Sequence, residues 1–209
     1  VKAGLLVTRC SLQPLSRMLL ASASPRRREL LHQLQPSLQL DIRPAAIDES
    51  RLGEEAGEEL VLRLAVAKAH QVISQLSSDQ VDYPLLAADT EVVLDGHPLG
   101  KPDSAESAVE LLTRLSGRSH AVKTALALVK GDQWFTAVVT TQVIFRVLDE
   151  EEIHAYVATD EPRDKAGGYA IQGRGAAFVE RIEGSYTNVV GLPLERLTLL
   201  LKSLGYRVF

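Results

Sequence analysis

A chain of 209 residues that is 45% apolar and 24% charged has the composition of a soluble globular protein, long enough to bury a core without disulfides or metals as staples. Its net charge of −4 excludes a non-specific nucleic-acid binder, which needs a basic excess to release counterions, but leaves small anionic ligands open wherever arginines cluster. The lone cysteine, Cys10, excludes a disulfide framework and fits a reducing cytoplasm, and no apolar run reaches membrane-spanning length.

The first segment, residues 1–17, contains Leu5-Leu6-Val7, an apolar stretch too short and broken for a secretory signal. Met18 is the chain's only methionine and stands immediately before the first convincing strand. Residues 1–17 are therefore expected to lie outside the fold as an upstream extension, and residues 18–209 to form one domain.

Met18-Leu19-Leu20 reads as a short strand, followed by the Ser-rich turn Ser22-Ala23-Ser24 and a helix opening on Pro25. Proline suits that first position because its missing N–H has no intrahelical partner there, and Ser24 is placed to cap it. Free backbone N–H groups and the positive end of the helix dipole then lie beside Arg26 and Arg27, an arrangement that suits phosphate. A capped surface helix with solvated arginines is the alternative.

Residues 38–43 alternate as a strand and 45–57 form an acidic loop, in which Glu49 reads by itself as a solvated carboxylate. Residues 58–76 carry Val61, Leu64, Ala65, Ala69, Val72 and Leu76 at helical spacing. Lys68 falls near that stripe, where a lysine ordinarily snorkels to solvent. The run Leu85-Leu86-Ala87-Ala88 predicts a buried strand, with Asp89 at its carboxyl edge and a second short strand over 91–94. In an α/β sheet that edge is where ligands bind; a carboxylate there holds a cation, takes a proton from water, or merely closes an Asx turn.

Lys101 is flanked by Gly100 and Pro102, so the chain there is extended and fixes the direction of the ammonium. Residues 104–115 form a helix with Asp103 at its cap, and 121–129 with 134–147 form a long hairpin in which Trp134 packs as core or rim. A helix over 149–159 leads into the glycine-rich stretch Asp164-Lys165-Ala166-Gly167-Gly168-Tyr169-Ala170-Ile171-Gln172-Gly173. That stretch is either a flexible surface loop or a close-approach segment in which Gln172 offers its amide to a base edge. A strand over 178–182, a helix over 194–204 and a terminal strand follow. The five histidines show no metal spacing and no nucleophile to serve. The alternation predicts an α/β fold: a mixed twisted sheet flanked by helices, one unit split by a cleft into two lobes.

Taken together, Ser22-Ala23-Ser24-Pro25-Arg26-Arg27, Ala88-Asp89-Thr90, Lys101-Pro102, Leu115-Ser116-Gly117, Asp164-Lys165-Ala166-Gly167, Ile171-Gln172-Gly173 and the block from Gly184 to Pro193 resemble the Maf family of nucleoside triphosphate pyrophosphatases. The match runs in order from residue 18 to about 204. The resemblance implies a two-lobed fold similar to the inosine-triphosphate pyrophosphatases. It also implies cleavage between the α- and β-phosphates with a divalent cation, Mg²⁺ or Mn²⁺, and a homodimer. By the same resemblance Asp89 is the catalytic acid/base or a metal ligand and Glu49 a carboxylate near the metal. Ser22, Arg27, Lys68 and Lys101 surround the triphosphate. Arg26, Thr90 and Gln172 look like the dTTP/UTP branch, whose role would be to limit excess or non-standard pyrimidine nucleotides. The 7-methyl-GTP branch has tryptophan, glutamine and glutamate at those places. A thymine or uracil edge offers acceptor, donor, acceptor, which a Gln amide complements. Two positions depart from the pattern: Gly100 stands where many members have glutamate, and Ala87 replaces a frequent glycine. The rival expectations are the same chemistry on modified purine triphosphates, or a nucleotide-binding regulator of septum formation without catalysis.

Overall fold

Alternating apolar and polar runs fold into alternating strands and helices in a computed structural model that describes residues 12–78 and 80–209. In chain order these are β1 (Gln13–Pro14), β2 (Arg17–Leu20), α1 (Pro25–Leu34), β3 (Gln39–Ile42), α2 (Gly57–Ile73), β4 (Leu85–Leu94), β5 (His97–Pro98) and α3 (Ala105–Leu115). There follow β6 (Ser119–Lys130), β7 (Gln133–Phe145), α4 (Glu150–Val157), β8 (Val179–Glu183), α5 (Tyr186–Val190), α6 (Leu194–Ser203) and β9 (Tyr206–Arg207). Of two 3₁₀ turns, Ala166–Gly168 lies within the glycine-rich stretch and Arg174–Phe178 directly follows it. Among the described residues no helix is long and apolar enough to cross a membrane.

The main sheet is mixed, as expected, with strand order β3-β2-β4-β6-β7-β8 and β5 against β4. β2 runs parallel to β3 and β4, whereas β4, β6, β7 and β8 are antiparallel to their successive neighbours. Period-two alternation assigns the faces of the first half of β4. Leu86 and Ala88 pack with Leu30, Leu31, Leu197 and Leu201 of α1 and α6, while Leu85 and Ala87 pack with Val61, Ala65, Ala69 and Val72 of α2. Further along the same strand, Val92 and Leu94 join a separate core with Leu112, Leu115, Phe145, Tyr156 and Phe178. The first two clusters, on opposite faces of the sheet, make one lobe and the third makes the other, and β4 and β6 pass from one lobe to the other.

Three expectations need correction. First, β4 is one ten-residue strand, so Asp89 lies mid-strand rather than at a strand end. Its ladder with β6 continues without a break from Leu85↔Val129 to Val93↔Ala121. What ends nearby is β2: it pairs with β4 only through Leu19↔Leu85 and Leu20↔Leu86 before the chain turns into α1, which bares the β4 edge ahead of Asp89. Second, the fold begins before Met18. β1 pairs in parallel with β9, Leu15 is buried beside Met18 and Leu204, and Arg17 opens β2. The boundary therefore moves back to at least Gln13, because Leu15 fills a place in the core; residues 1–11 lie outside the described residues. Third, α3 is capped by Ser104, whose hydroxyl accepts from the Ser107 N–H at 3.1 Å, and not by Asp103.

Helix α5 has no counterpart in the sequence pattern, since Thr187-Asn188-Val189-Val190 favours strand by composition. Its ends explain it: the Ser185 hydroxyl accepts from Asn188 N–H, and Gly191 closes the helix at φ +119°. Trp134 is a rim residue, its ring 4.5 Å from that of His70.

Candidate active site

Where β4 crosses between the cores, its polar residues open into a cleft of about 760 Å³. All nine residues singled out in the sequence line it: Ser22, Arg26, Arg27, Glu49, Lys68, Asp89, Thr90, Lys101 and Gln172. They arrive from the β2–α1 turn, α1, the β3–α2 loop, α2, β4, the β5–α3 loop and the glycine-rich stretch.

Lys68 does not snorkel. It is 8% exposed, and its ammonium donates to Asp89 Oδ1 at 2.6 Å and to Glu49 Oε1 at 2.6 Å. Small residues make room for it: Ala65 and Ala69 flank it on α2, and Ala87 precedes Asp89 by one β repeat. The other Glu49 oxygen, Oε2, meets Lys101 Nζ at 3.5 Å. Glu49 is thus no free loop carboxylate; it closes a chain Asp89–Lys68–Glu49–Lys101 along one wall. Burial pushes the Asp89 carboxyl upward and outweighs the opposing pull of Lys68 and Arg27. Burial also raises Glu49, but the Lys68 hydrogen bond and the charges of Lys68 and Lys101 win, and it stays below the ordinary carboxyl range. The two carboxylates are therefore shifted in opposite directions, Asp89 up and Glu49 down.

Arg27 stands differently from its expected place as a phosphate ligand. Its Nε donates to Gly191 O at 2.9 Å, Nη1 to Ser22 Oγ at 3.0 Å and Ala88 O at 2.8 Å, and Nη2 to Thr90 Oγ1 at 3.0 Å. A guanidinium has five N–H donors, so about one is left for a ligand. Arg27 chiefly ties α1 and the Gly191 cap to β4, and it fixes two other site residues. Ser22 Oγ accepts from Arg27 and from Ser24 N–H at 3.2 Å, which leaves its own proton to donate into the cleft. Ser24 occupies the cap position, but its hydroxyl makes no capping bond; Ser22 orders that turn instead.

Thr90 can be read in the same way. The Thr124 hydroxyl donates to Asn188 O at 3.1 Å, so in the 2.9 Å contact between Thr90 and Thr124 the proton must come from Thr90. Thr90 therefore presents a lone pair, not a proton, to anything in the cleft.

From the second lobe, Lys165 and Gln172 line the cleft together with Tyr169 and Glu161, and Arg26 joins them from α1. Burial lowers the pKa of both Arg26 and Lys165, and Arg26 lowers Lys165 further. Neither has an ion-pair partner within 4.0 Å among the described residues. The glycine-rich stretch is ordered rather than floppy. Gly167 takes φ +68°, donates to Gly100 O at 2.8 Å and sits so close to Val92 that a Cβ would come within 2.9 Å of that side chain. Glu161 and Lys165 were not singled out as site residues. A carboxylate just beyond the end of α4, where the helix dipole disfavours negative charge, was the available clue that Glu161 must find donors elsewhere.

The donor set suits a hard cation: Asp89 and Glu49 already converge on one ammonium, and two carboxylates completed by phosphate oxygens and water are the usual provision for Mg²⁺. No cluster of three acidic, histidine or cysteine ligands occurs among the described residues.

Comparison with known proteins gives the following. The family described as Maf-like protein matches residues 17–204. A dTTP/UTP pyrophosphatase of Methylobacillus flagellatus is 47% identical over 194 residues, covering 93% of this chain and 96% of that protein. A protein of the same name from Escherichia coli K12 is 47% identical over 175 residues, covering 84% and 86%. Among solved structures, a HAM1 protein from Coxiella burnetii aligns with a TM-score of 0.47 and 17% identity over 90% of this chain and 98% of that one.

Proposed function

This chain belongs to the Maf family, and from that premise we propose that it hydrolyses dTTP and UTP to the nucleoside monophosphate and pyrophosphate. The observation that carries the reading is convergence: nine residues scattered from position 22 to 172 line one cleft, cationic and carboxylate groups on one wall and the Gln172 amide on the other.

The roles follow from the free valences. Ser22 donates its proton to a phosphate oxygen, and Lys68 and Lys101 supply N–H groups and positive charge where the pyrophosphate departs. Asp89, in the cleft beside Lys68, takes a proton from the water that attacks the α-phosphorus. Gln172 pairs with the pyrimidine edge through its amide, while Thr90 offers the lone pair left to it and Arg26 adds charge beside the nucleotide. Asp89 and Glu49 are the residues that would hold Mg²⁺ or Mn²⁺. Such an ion, when bound, would neutralise charge on the phosphates. The single cysteine suits a reducing compartment, and we assign the enzyme to the cytoplasm.

The test is a panel of dTTP, UTP, dCTP, dGTP and 7-methyl-GTP with Mg²⁺, read as pyrophosphate released. dTTP and UTP should lead by about tenfold or more, the scale of one good base-edge contact pair, and Gln172→Glu should erase that lead. A panel without preference, or a preference untouched by Gln172→Glu, would overturn the reading.

A further inference from the structure

We propose that Glu161 is a positioning residue for base recognition: with the Tyr156 hydroxyl it fastens both ends of the segment 170–175 that carries Gln172 into the cleft. The inference rests on the reading above, in which Gln172 meets the base. Glu161 Oε1 accepts from the Tyr156 hydroxyl at 2.8 Å and from Gly175 N–H at 3.0 Å, and Oε2 accepts from Arg174 N–H at 3.0 Å. The same Tyr156 oxygen accepts from Ala170 N–H at 3.1 Å. One carboxylate thus holds positions 174 and 175 directly and position 170 through a single hydroxyl, and Gln172 lies midway between.

Tyr156 cannot drift, because its ring belongs to the second core and stacks edge-on with Phe178 at 4.8 Å. Gly173 completes the fit. A Cβ there would stand 2.4–2.5 Å from the Glu161 carboxylate, so this carboxylate docks beneath the segment only because residue 173 has no side chain. Burial raises the Glu161 carboxyl, but the N–H groups of Gly175 and Arg174 and the Tyr156 hydroxyl outweigh it, so both oxygens are acceptors at neutral pH. The groups assigned to the phosphates, Ser22, Lys68 and Lys101, come from other elements and have no bond to this anchor. Loosening it should therefore affect the base end of the site and spare the phosphate end.

Glu161→Gln keeps the size of the side chain but turns one oxygen into a donor that faces backbone N–H groups. For that variant KM for dTTP should rise about tenfold, the equivalent of one charge-assisted hydrogen bond lost, with kcat held within about threefold. Inhibition by inorganic tripolyphosphate, which has no base, should be unchanged. In a Gln172→Ala background, Glu161→Gln should add nothing. Tyr156→Phe, which retains the packed ring and removes the hydroxyl's bonds to Glu161 and Ala170 while leaving Glu161 on Arg174 and Gly175, should shift KM in the same direction by about threefold. Loss of kcat with every triphosphate, weakened tripolyphosphate inhibition, full additivity with Gln172→Ala, or an unaltered KM in both variants would each overturn the inference. If the wild-type protein turns over dTTP normally beside such variants, this inference alone fails. A wild-type protein that hydrolyses neither dTTP nor UTP removes the functional reading and this inference with it.

Discussion

Asp89 carries the chemistry in this account because of what surrounds it: buried, yet hydrogen-bonded by one ammonium that Glu49 shares. Replacement by asparagine preserves an oxygen for Lys68 to bond while removing the base. Asp89→Asn should therefore fold normally and lose about two orders of magnitude or more in kcat, the scale of a lost general base. Steady-state turnover with dTTP checks this; near-normal kcat in a folded Asp89→Asn protein would take that aspartate out of the mechanism. At this scale much of the site was legible. Asp89, Lys68 and Glu49 could be picked out as residue types at suggestive positions, and the family resemblance raised them above a surface carboxylate or a snorkelling lysine. What the sequence did not disclose was the distribution of hydrogen bonds. Arg27 reads as a phosphate clamp until its bonds to Gly191, Ser22, Ala88 and Thr90 are counted. Glu161 reads as a loop carboxylate until the backbone N–H groups of a segment 13 and 14 residues away are found on it.

Strand β4 shows why element boundaries are harder to read than elements. Asp89, Thr90 and Glu91 break the apolar run and suggest two short strands, but Asp89 and Thr90 face the cleft and Glu91 meets backbone N–H groups, while the backbone ladder with β6 is uninterrupted. Helix α5 was missed for the opposite reason, since its stability lies in the Ser185 cap and the Gly191 turn rather than in its own composition. The continuity of β4 has a consequence for stability. Glu91 projects on the same face as Asp89, and its Oε1 accepts from Val92 N–H and from Gly100 N–H, both at 2.9 Å. Burial raises Glu91 from its ordinary 4.5 to about 7, with Asp89 adding to the rise and the two N–H groups and Lys101 opposing it. Between those two pH values the folded protein keeps a proton that the unfolded chain has lost. The Glu91 contribution to stability is therefore full below about pH 4.5 and is lost as pH rises through about 7. Glu91→Gln, which cannot ionise, should melt close to wild type at the acid end of that window and above it on the alkaline side. A melting difference that does not change across the window would refute the assignment.

At the scale of the whole molecule, the cleft exists because β4 and β6 serve two hydrophobic cores in succession, and the residues at the changeover belong fully to neither. Helix α2 presses Lys68 against β4 from the side of one lobe, and the stretch after α4 brings Gln172 from the other. The alternation of strands and helices was enough to expect a mixed sheet with helices on its faces. The two lobes were expected too, but not which residues serve each, because both draw on the same strands and differ in which half of each strand they use. The N-terminal boundary was misread because Leu15 contributes to a core that includes members almost two hundred residues away, Leu204 and Val208. The proposed division of labour, with phosphate chemistry around Asp89 and base recognition by Gln172 from the other lobe, makes the position of bond cleavage the central claim. Hydrolysis of dTTP in ¹⁸O-enriched water tests it most directly. Attack on the α-phosphorus predicts one ¹⁸O in dTMP and none in the pyrophosphate released with it; label in the inorganic product, or formation of dTDP and phosphate, would contradict the account.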